Sequence, residues 1–141
     1  MKEIKQVLSF DFGTKRIGVA CGQTITGTAN ELPPIKAKDG IPDWKDIEQL
    51  IKEWQPDLIL VGLPLNMDGS ESQMSLRATK FGKRIHGMFG KQVEMIDERL
   101  TSQEVKRDWQ DNKGIRDFGT HSVDGMVAKI LFEDWCANHQ Q

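Results

Sequence analysis

Hydrophobic and polar positions alternate most clearly in Val7–Cys21, V-L-S-F-D-F-G-T-K-R-I-G-V-A-C. Leu8, Phe10 and Phe12 interleave with Val7, Ser9 and Asp11, so both faces of a first strand are largely apolar, as in a strand covered on both sides. Gly13-Thr14 interrupts the run. Ile17, Val19 and Cys21 then resume a period of two, with Gly18, Ala20 and Gly22 between them, which predicts a hairpin. Gln23–Lys38 has strand character at Thr24-Ile25-Thr26 and Leu32-Pro33-Pro34-Ile35, but its two prolines confine it to an edge or irregular strand. After Gly40-Ile41-Pro42 the period becomes helical. Trp44, Ile47, Leu50, Ile51 and Trp54 fall on one side of a helix over 43–54, with Asp43 as N-cap and Pro56 as stop. Asp57–Leu63 is an almost continuous apolar run, predicting a buried strand parallel to the first and reached by a helical crossover.

Pro64–Ser70 is a polar loop at the carboxyl end of that strand, where open α/β sheets place functional loops. Ser70-Glu71-Ser72-Gln73 fits a capping box opening a second helix. On it Met74, Ala78, Phe81, Ile85 and Met88 form an apolar stripe, and Arg77, Lys80 and Arg84 form an adjacent flank without acidic i+4 partners. Gly90 ends this helix. Gln92–Ile96 is a third parallel-type strand, running into Asp97-Glu98-Arg99. Thr101-Ser102-Gln103-Glu104 again fits a capping box, for a helix to about Gln110. Asp111–Thr120 follows as a mobile basic loop carrying Lys113 and Arg116. In the last helix, His121–Trp135, the residues Asp124, Val127, Ala128, Leu131 and Trp135 share one stripe, which puts an acid in an apolar face.

Composition narrows the class. A chain of 141 residues is expected to form one domain, 1–141. Its 38% hydrophobic and 28% charged residues are those of an ordinary globular protein, without a signal-like or membrane-spanning run. Cys21 and Cys136 have no metal-ligand spacing, which suits a reduced, cytoplasmic setting. A net charge of −2 excludes a generally basic coat, so nucleic-acid binding would need a local patch.

Asp11, Glu98 and Asp124 carry the candidate chemistry: two strand ends and an inward helix face. Asp11 has a plain alternative as a turn-forming residue bonded to Gly13 or Thr14. So has Asp124, as an acid favouring a helix N-terminus. If the fold brings the three acids together, a hard divalent cation would neutralise them, and a carboxylate-held metal site can drive phosphodiester hydrolysis.

Four segments, Asp11–Ala20 (D-F-G-T-K-R-I-G-V-A), Val61–Ser70 (V-G-L-P-L-N-M-D-G-S), Asp97–Ser102 (D-E-R-L-T-S) and Val123–Leu131 (V-D-G-M-V-A-K-I-L), closely resemble the YqgF family, also called RuvX. They span nearly the whole chain, in order. The resemblance implies an RNase H-like α/β fold with a mixed sheet flanked by helices, related to the RuvC resolvases. It implies metal-dependent cleavage with Mg²⁺ or Mn²⁺, and a role in maturing the 5′ end of precursor 16S ribosomal RNA. By motif position the catalytic, metal-holding acids are Asp11, Glu98 and Asp124. Gly125-Met126-Val127 departs from the small residues more usual after the last acid. His121 stands where some RuvC-type relatives carry an extra metal-side residue, although a plain helix-terminal His is the simpler reading. Lys15, Arg16, Asn66, Arg77, Lys80, Arg84, Arg99, Lys113 and Arg116 are the candidate nucleic-acid contacts.

Asp-x-Gly before a hairpin also resembles the phosphate loop of actin- and hexokinase-like ATPases, but 141 residues leave no room for their second lobe. A non-catalytic nucleic-acid-binding module would account for the cations and not for the acids. A Holliday junction resolvase acting on branched DNA would need a stable symmetric dimer. Each helix has only one apolar stripe, which predicts a monomer or weak homodimer acting on single-stranded RNA.

Overall fold

The computed structural model describes residues 3–66, 68–97 and 123–139, the side chains of 123, 124 and 139 excepted. In these, strands β1 (Gln6–Asp11), β2 (Arg16–Gln23), β3 (Thr28–Lys38), β4 (Ile41–Pro42), β5 (Leu58–Leu63) and β6 (Val93–Asp97) form one sheet in the order β4-β3-β2-β1-β5-β6. Helices α1 (Trp44–Trp54), α2 (Gln73–Phe89) and α3 (Val123–His139) flank it. The sheet is mixed, as expected. β1 pairs antiparallel with β2 (Phe10↔Val19) and parallel with β5 (Phe10↔Val61), and β5 pairs parallel with β6.

β1 is doubly apolar because it is doubly covered. Leu8, Phe10 and Phe12 pack with Ile47 and Ile51 of α1 and with Ala78, Phe81 and Ile85 of α2. Val7, in the opposite phase, packs with Leu60 of β5 and with Ala128, Phe132, Trp135 and Cys136 of α3. β2 divides likewise: Ile17, Val19 and Cys21 face α1 and α2, whereas Ala20 faces α3. Small residues in this second phase let α3 approach the sheet closely. A Cβ on Gly22 would stand 2.6 Å from three ring carbons of Phe132.

Several boundaries differ from the sequence pattern. Thr24-Ile25-Thr26 is the β2–β3 turn, closed by Gly27 N donating to the Gln23 carbonyl (2.9 Å), and Ile25 is 93% exposed. Pro33-Pro34 sits where the ladder skips register, between Val19↔Leu32 and Ile17↔Ile35, since proline cannot donate to it. Asp39-Gly40, with φ of 52° and 79°, makes the two-residue turn from β3 to β4. Asp43 caps α1 by accepting from Lys45 N (3.0 Å), as predicted. The cap of α2 is Ser72 rather than Ser70: its hydroxyl accepts from Ser75 N (3.0 Å) and donates to the Pro64 carbonyl (2.7 Å). Ser70 is held by Asp68 instead. Met88, in the last turn of α2, is exposed rather than core. α3 buries Val127, Ala128, Leu131 and Trp135 as expected, adds Phe132 and Cys136, and continues to His139. The predicted helix Thr101–Gln110 and the basic loop Asp111–Thr120 lie outside the described residues. No helix among the described residues is long and apolar enough to cross a membrane.

Candidate active site

Asp11 is the last residue of β1, half-buried at the sheet edge where the parallel strands end. Its face follows from the pairing. Ser9 stands opposite Ala20 and Leu60, both in the α3-side core, and Asp11 is two residues further in the same phase. The bend after it is tight: a Cβ on Gly13 would collide with the Arg16 carbonyl oxygen. That turn is anchored to the neighbouring strand. Ala37 N donates to the Lys15 carbonyl (2.9 Å), and Gly40 N to the Thr14 carbonyl (2.8 Å).

α3 brings its N-terminal turn to the same edge. Trp135 Nε1 donates to Glu94 of β6 (3.0 Å), while Val127 and Leu131 pack on Ile96, further along that strand. The helix therefore runs opposite to β6, with its N-terminus towards the edge that holds Asp11. Its height can be worked out. Phe132 lies against Gly22, which pairs with Val7. From Phe132 back to Asp124 a helix rises about 12 Å. From Val7 to Asp11 a strand advances about 13 Å. The backbone of Asp124 is thus level with Asp11, on the face that Asp11 shares.

Ser9 adds a feature that the predicted site did not include. Its hydroxyl is fully buried on this face, two residues below Asp11, with no hydrogen-bond partner among the described residues. A polar residue between Leu8 and Phe10 in a buried strand was the available signal. One half-buried carboxylate, a second acid-bearing position at its height and an orphaned hydroxyl beneath suit a hard cation with oxygen ligands. Glu98 and the Asp124 side chain lie outside what the structure describes, and the described side chains alone form no three-ligand cluster. His121, Arg99, Lys113 and Arg116 also lie outside the described residues.

The other candidate contacts divide between two faces. Lys15 and Arg16 are exposed at the edge beside Asp11. Asn66 follows β5 at the same edge, with its amide donating to Ser70 Oγ (3.1 Å), while Ser70 N and Oγ donate to Asp68 (2.9 and 2.6 Å). Much of that loop's donor capacity is therefore used to close the loop itself. Arg77, Lys80 and Arg84 lie across the sheet, on the α2 side, and line a cleft of about 260 Å³ together with Phe12, Gly40 and Trp44. Arg77 is engaged there, its Nη2 donating to the Asp39 carbonyl (2.6 Å) and lying 3.3 Å from the Asp39 carboxylate.

A protein of Marinobacter nauticus named "Putative pre-16S rRNA nuclease" is 55% identical over 132 residues, 94% of this chain and 92% of that one. One of the same name from Aeromonas hydrophila subsp. hydrophila is 55% identical over 131 residues, covering 93% and 94%. Among solved structures, Thermus thermophilus RuvC in complex with a Holliday junction superposes with a TM-score of 0.56 at 10% identity, covering 95% of this chain and 94% of that one. The fowlpox virus resolvase bound to Holliday junction DNA gives 0.56 at 12% identity, covering 96% and 99%. At such identities the likeness is one of fold, and the fold is that of the RNase H-like resolvases. With a family model matched over residues 5–138, the chain belongs to the RuvX family, described as Holliday junction resolvases.

Proposed function

We propose that this chain is a metal-dependent endonuclease that hydrolyses phosphodiester bonds in the 5′ processing of precursor 16S ribosomal RNA. On this reading it works in the cytoplasm, as one nuclease domain over 1–141 and as a monomer or weak homodimer. The observation that carries it is the convergence of Asp11 and the Asp124 backbone at one height on one face of the sheet. The choice of RNA follows the name shared by relatives 55% identical over nearly their whole length. Glu98 is bonded directly to Asp97, the last residue of β6, which aligns with Leu63 at this edge.

Asp11, Glu98 and Asp124 would together hold Mg²⁺ or Mn²⁺, which when bound supplies water activation and neutralises charge on the phosphate. The chain's own residues position the strand. Lys15 and Arg16 offer cations beside Asp11 for neighbouring phosphates, and Arg99, Lys113 and Arg116, outside the described residues, are further candidate phosphate contacts. Asn66 contributes what its amide does not give to Ser70. His121 is the auxiliary candidate for orienting the attacking water, beside its simpler reading as a helix-terminal His.

The test is cleavage of labelled single-stranded 5′-leader RNA and of a four-way DNA junction, at equal concentration with Mg²⁺ or Mn²⁺. Asp11→Asn, Glu98→Gln and Asp124→Asn should each cut hydrolysis by roughly a hundredfold or more with melting unchanged, because each keeps shape and deletes ligand charge. Full activity in a folded variant removes that residue from the site. Paired symmetric nicks in the junction by a stable dimer, with RNA untouched, would establish the resolvase reading, which the family description favours. Binding without cleavage under either metal would leave a non-catalytic module.

A further inference from the structure

The cleft on the α2 side belongs to the same strand path as Asp11 but to the other face of the sheet. Phe12, which forms part of its wall, is bonded to Asp11, so the cleft begins one residue from the cleavage edge. Phe12, Trp44 and Phe81 supply its aromatic lining. Trp44 stacks on Phe81, with centroids 5.8 Å apart and planes at 27°, and Phe12 lies 5.4 Å from Phe81. Its rim is cationic, with three basic side chains against the single carboxylate of Asp39. Arg77 neutralises that carboxylate and ties the Asp39-Gly40 turn to α2, so it builds the wall. Lys80 and Arg84 remain for a ligand, and Arg84 lies over the Trp44 ring at 6.0 Å.

An apolar wall beneath two cations fits one chemistry in particular: a base laid against the aromatic surface, with its phosphates at the rim. The volume, about 260 Å³, is just below the usual range for ligand pockets and suits one base, with its phosphates left at the rim. A duplex keeps its base faces stacked on each other, so only an unstacked strand can present one. We propose that this cleft is a second subsite, binding a single-stranded nucleotide of the RNA a short distance from the phosphate cut at Asp11. The proposal rests on the nuclease reading for the identity of that strand. It supplies a reason for single strands to be preferred over junction arms.

Binding of a fluorescein-labelled oligouridylate about 12 nucleotides long, single-stranded or annealed to its complement, tests it by anisotropy across a salt series. The double variant Lys80→Ala/Arg84→Ala should bind the single strand at least tenfold more weakly. Its plot of log affinity against log salt should be flatter by about 0.7 for each phosphate no longer neutralised. It should bind the duplex and a four-way DNA junction as tightly as the parent does. Trp44→Leu should weaken the single strand by about 5- to 150-fold without changing the salt slope, and Trp44→Phe should restore much of it. Thermal melts separate this from misfolding, since Trp44→Phe keeps an aromatic ring on Phe81. Equal weakening for single strand and duplex would reduce the cations to a general field, and unchanged binding would leave a solvated flank; either result overturns the subsite. Cleavage of the single strand separates the two readings. If the parent cuts it and the variants do not weaken its binding, the subsite alone fails. If nothing is cut and the single-strand dependence remains, the subsite stands without the nuclease.

Discussion

Adding one methyl group at Gly22 should both destabilise the protein and displace α3, the helix that carries Asp124. The backbone there is an ordinary β2 strand paired with Val7, so alanine meets no conformational penalty. The penalty comes from Phe132, whose ring carbons would lie 2.6 Å from the new Cβ. Carbon atoms settle at about 3.5–4.0 Å, so the ring must retreat by about 1 Å. Phe132 is fully buried and has Trp135 beside it, with centroids 6.2 Å apart, so the retreat involves α3 as a whole. Overpacking of this kind costs about 1–3 kcal/mol. Loss of glycine's freedom in the unfolded chain returns about 0.4–1 kcal/mol. The net is at most about 2.6 kcal/mol and centres on about 1.3 kcal/mol, or about 4–5 °C in Tm for a chain of this length. A shift of about 1 Å in the helix that bears Asp124 should also lower kcat by up to about a hundredfold. Urea titration, thermal melting and RNA cleavage read the three effects. Gly22→Ala/Phe132→Leu should be less destabilised than the sum of its single changes by about 1 kcal/mol. A Gly22→Ala protein melting at or above the parent, with parental kcat, would falsify the close approach of α3.

Cys21 carries a pH signature. Burial pushes its thiol above the ordinary value of 9.0, so the folded state holds a proton that the unfolded chain releases first. That contribution is complete below about pH 9 and is lost as pH rises through the folded pKa. Cys21→Ala should therefore flatten the fall of stability in alkaline urea titrations, and a slope equal to the parent's would exclude the thiol as its source. His121→Ala should lower kcat for RNA without weakening its binding, with the loss varying around neutral pH. An unchanged pH–rate profile would return His121 to a plain helix-terminal role.

The periodic parts of this fold could be read from the sequence because burial imposes the period. The two-phase apolar run of β1, the continuous run of β5 and the stripes of α1 and α3 each recorded what covers them. Asp11 stood out for the same reason, as a charge ending a strand that is buried on both faces. What could not be read was set by partners distant in sequence. Ser72 rather than Ser70 caps α2 because Asp68 takes Ser70 and the Pro64 carbonyl takes the Ser72 hydroxyl. Nothing local to Ile25 distinguishes a strand residue from an exposed turn, since only the pairing of β2 with β3 decides it. The division of the cations also escaped the pattern. Arg77, Lys80 and Arg84 show helical spacing, but which side of the sheet α2 covers depends on the crossover from β5 to β6.

That division gives the sheet edge its role. Successive residues of β1 point to opposite faces, so Asp11 and Phe12 open two different environments from one peptide bond. On the α3 side are Asp11 and the buried Ser9 hydroxyl. On the α2 side are aromatic rings beneath Lys80 and Arg84. A strand lying over the Gly13–Arg16 turn could contact both, with Lys15 and Arg16 exposed along its course. The turn must hold its shape for this, and backbone bonds from Ala37 and Gly40 fix it. Gly40 also belongs to the turn that Arg77 fastens to α2. The wall of the cleft and the bend after Asp11 are therefore mechanically one piece. Loosening Arg77 should disturb the bend after Asp11 even though its side chain lies on the other face of the sheet.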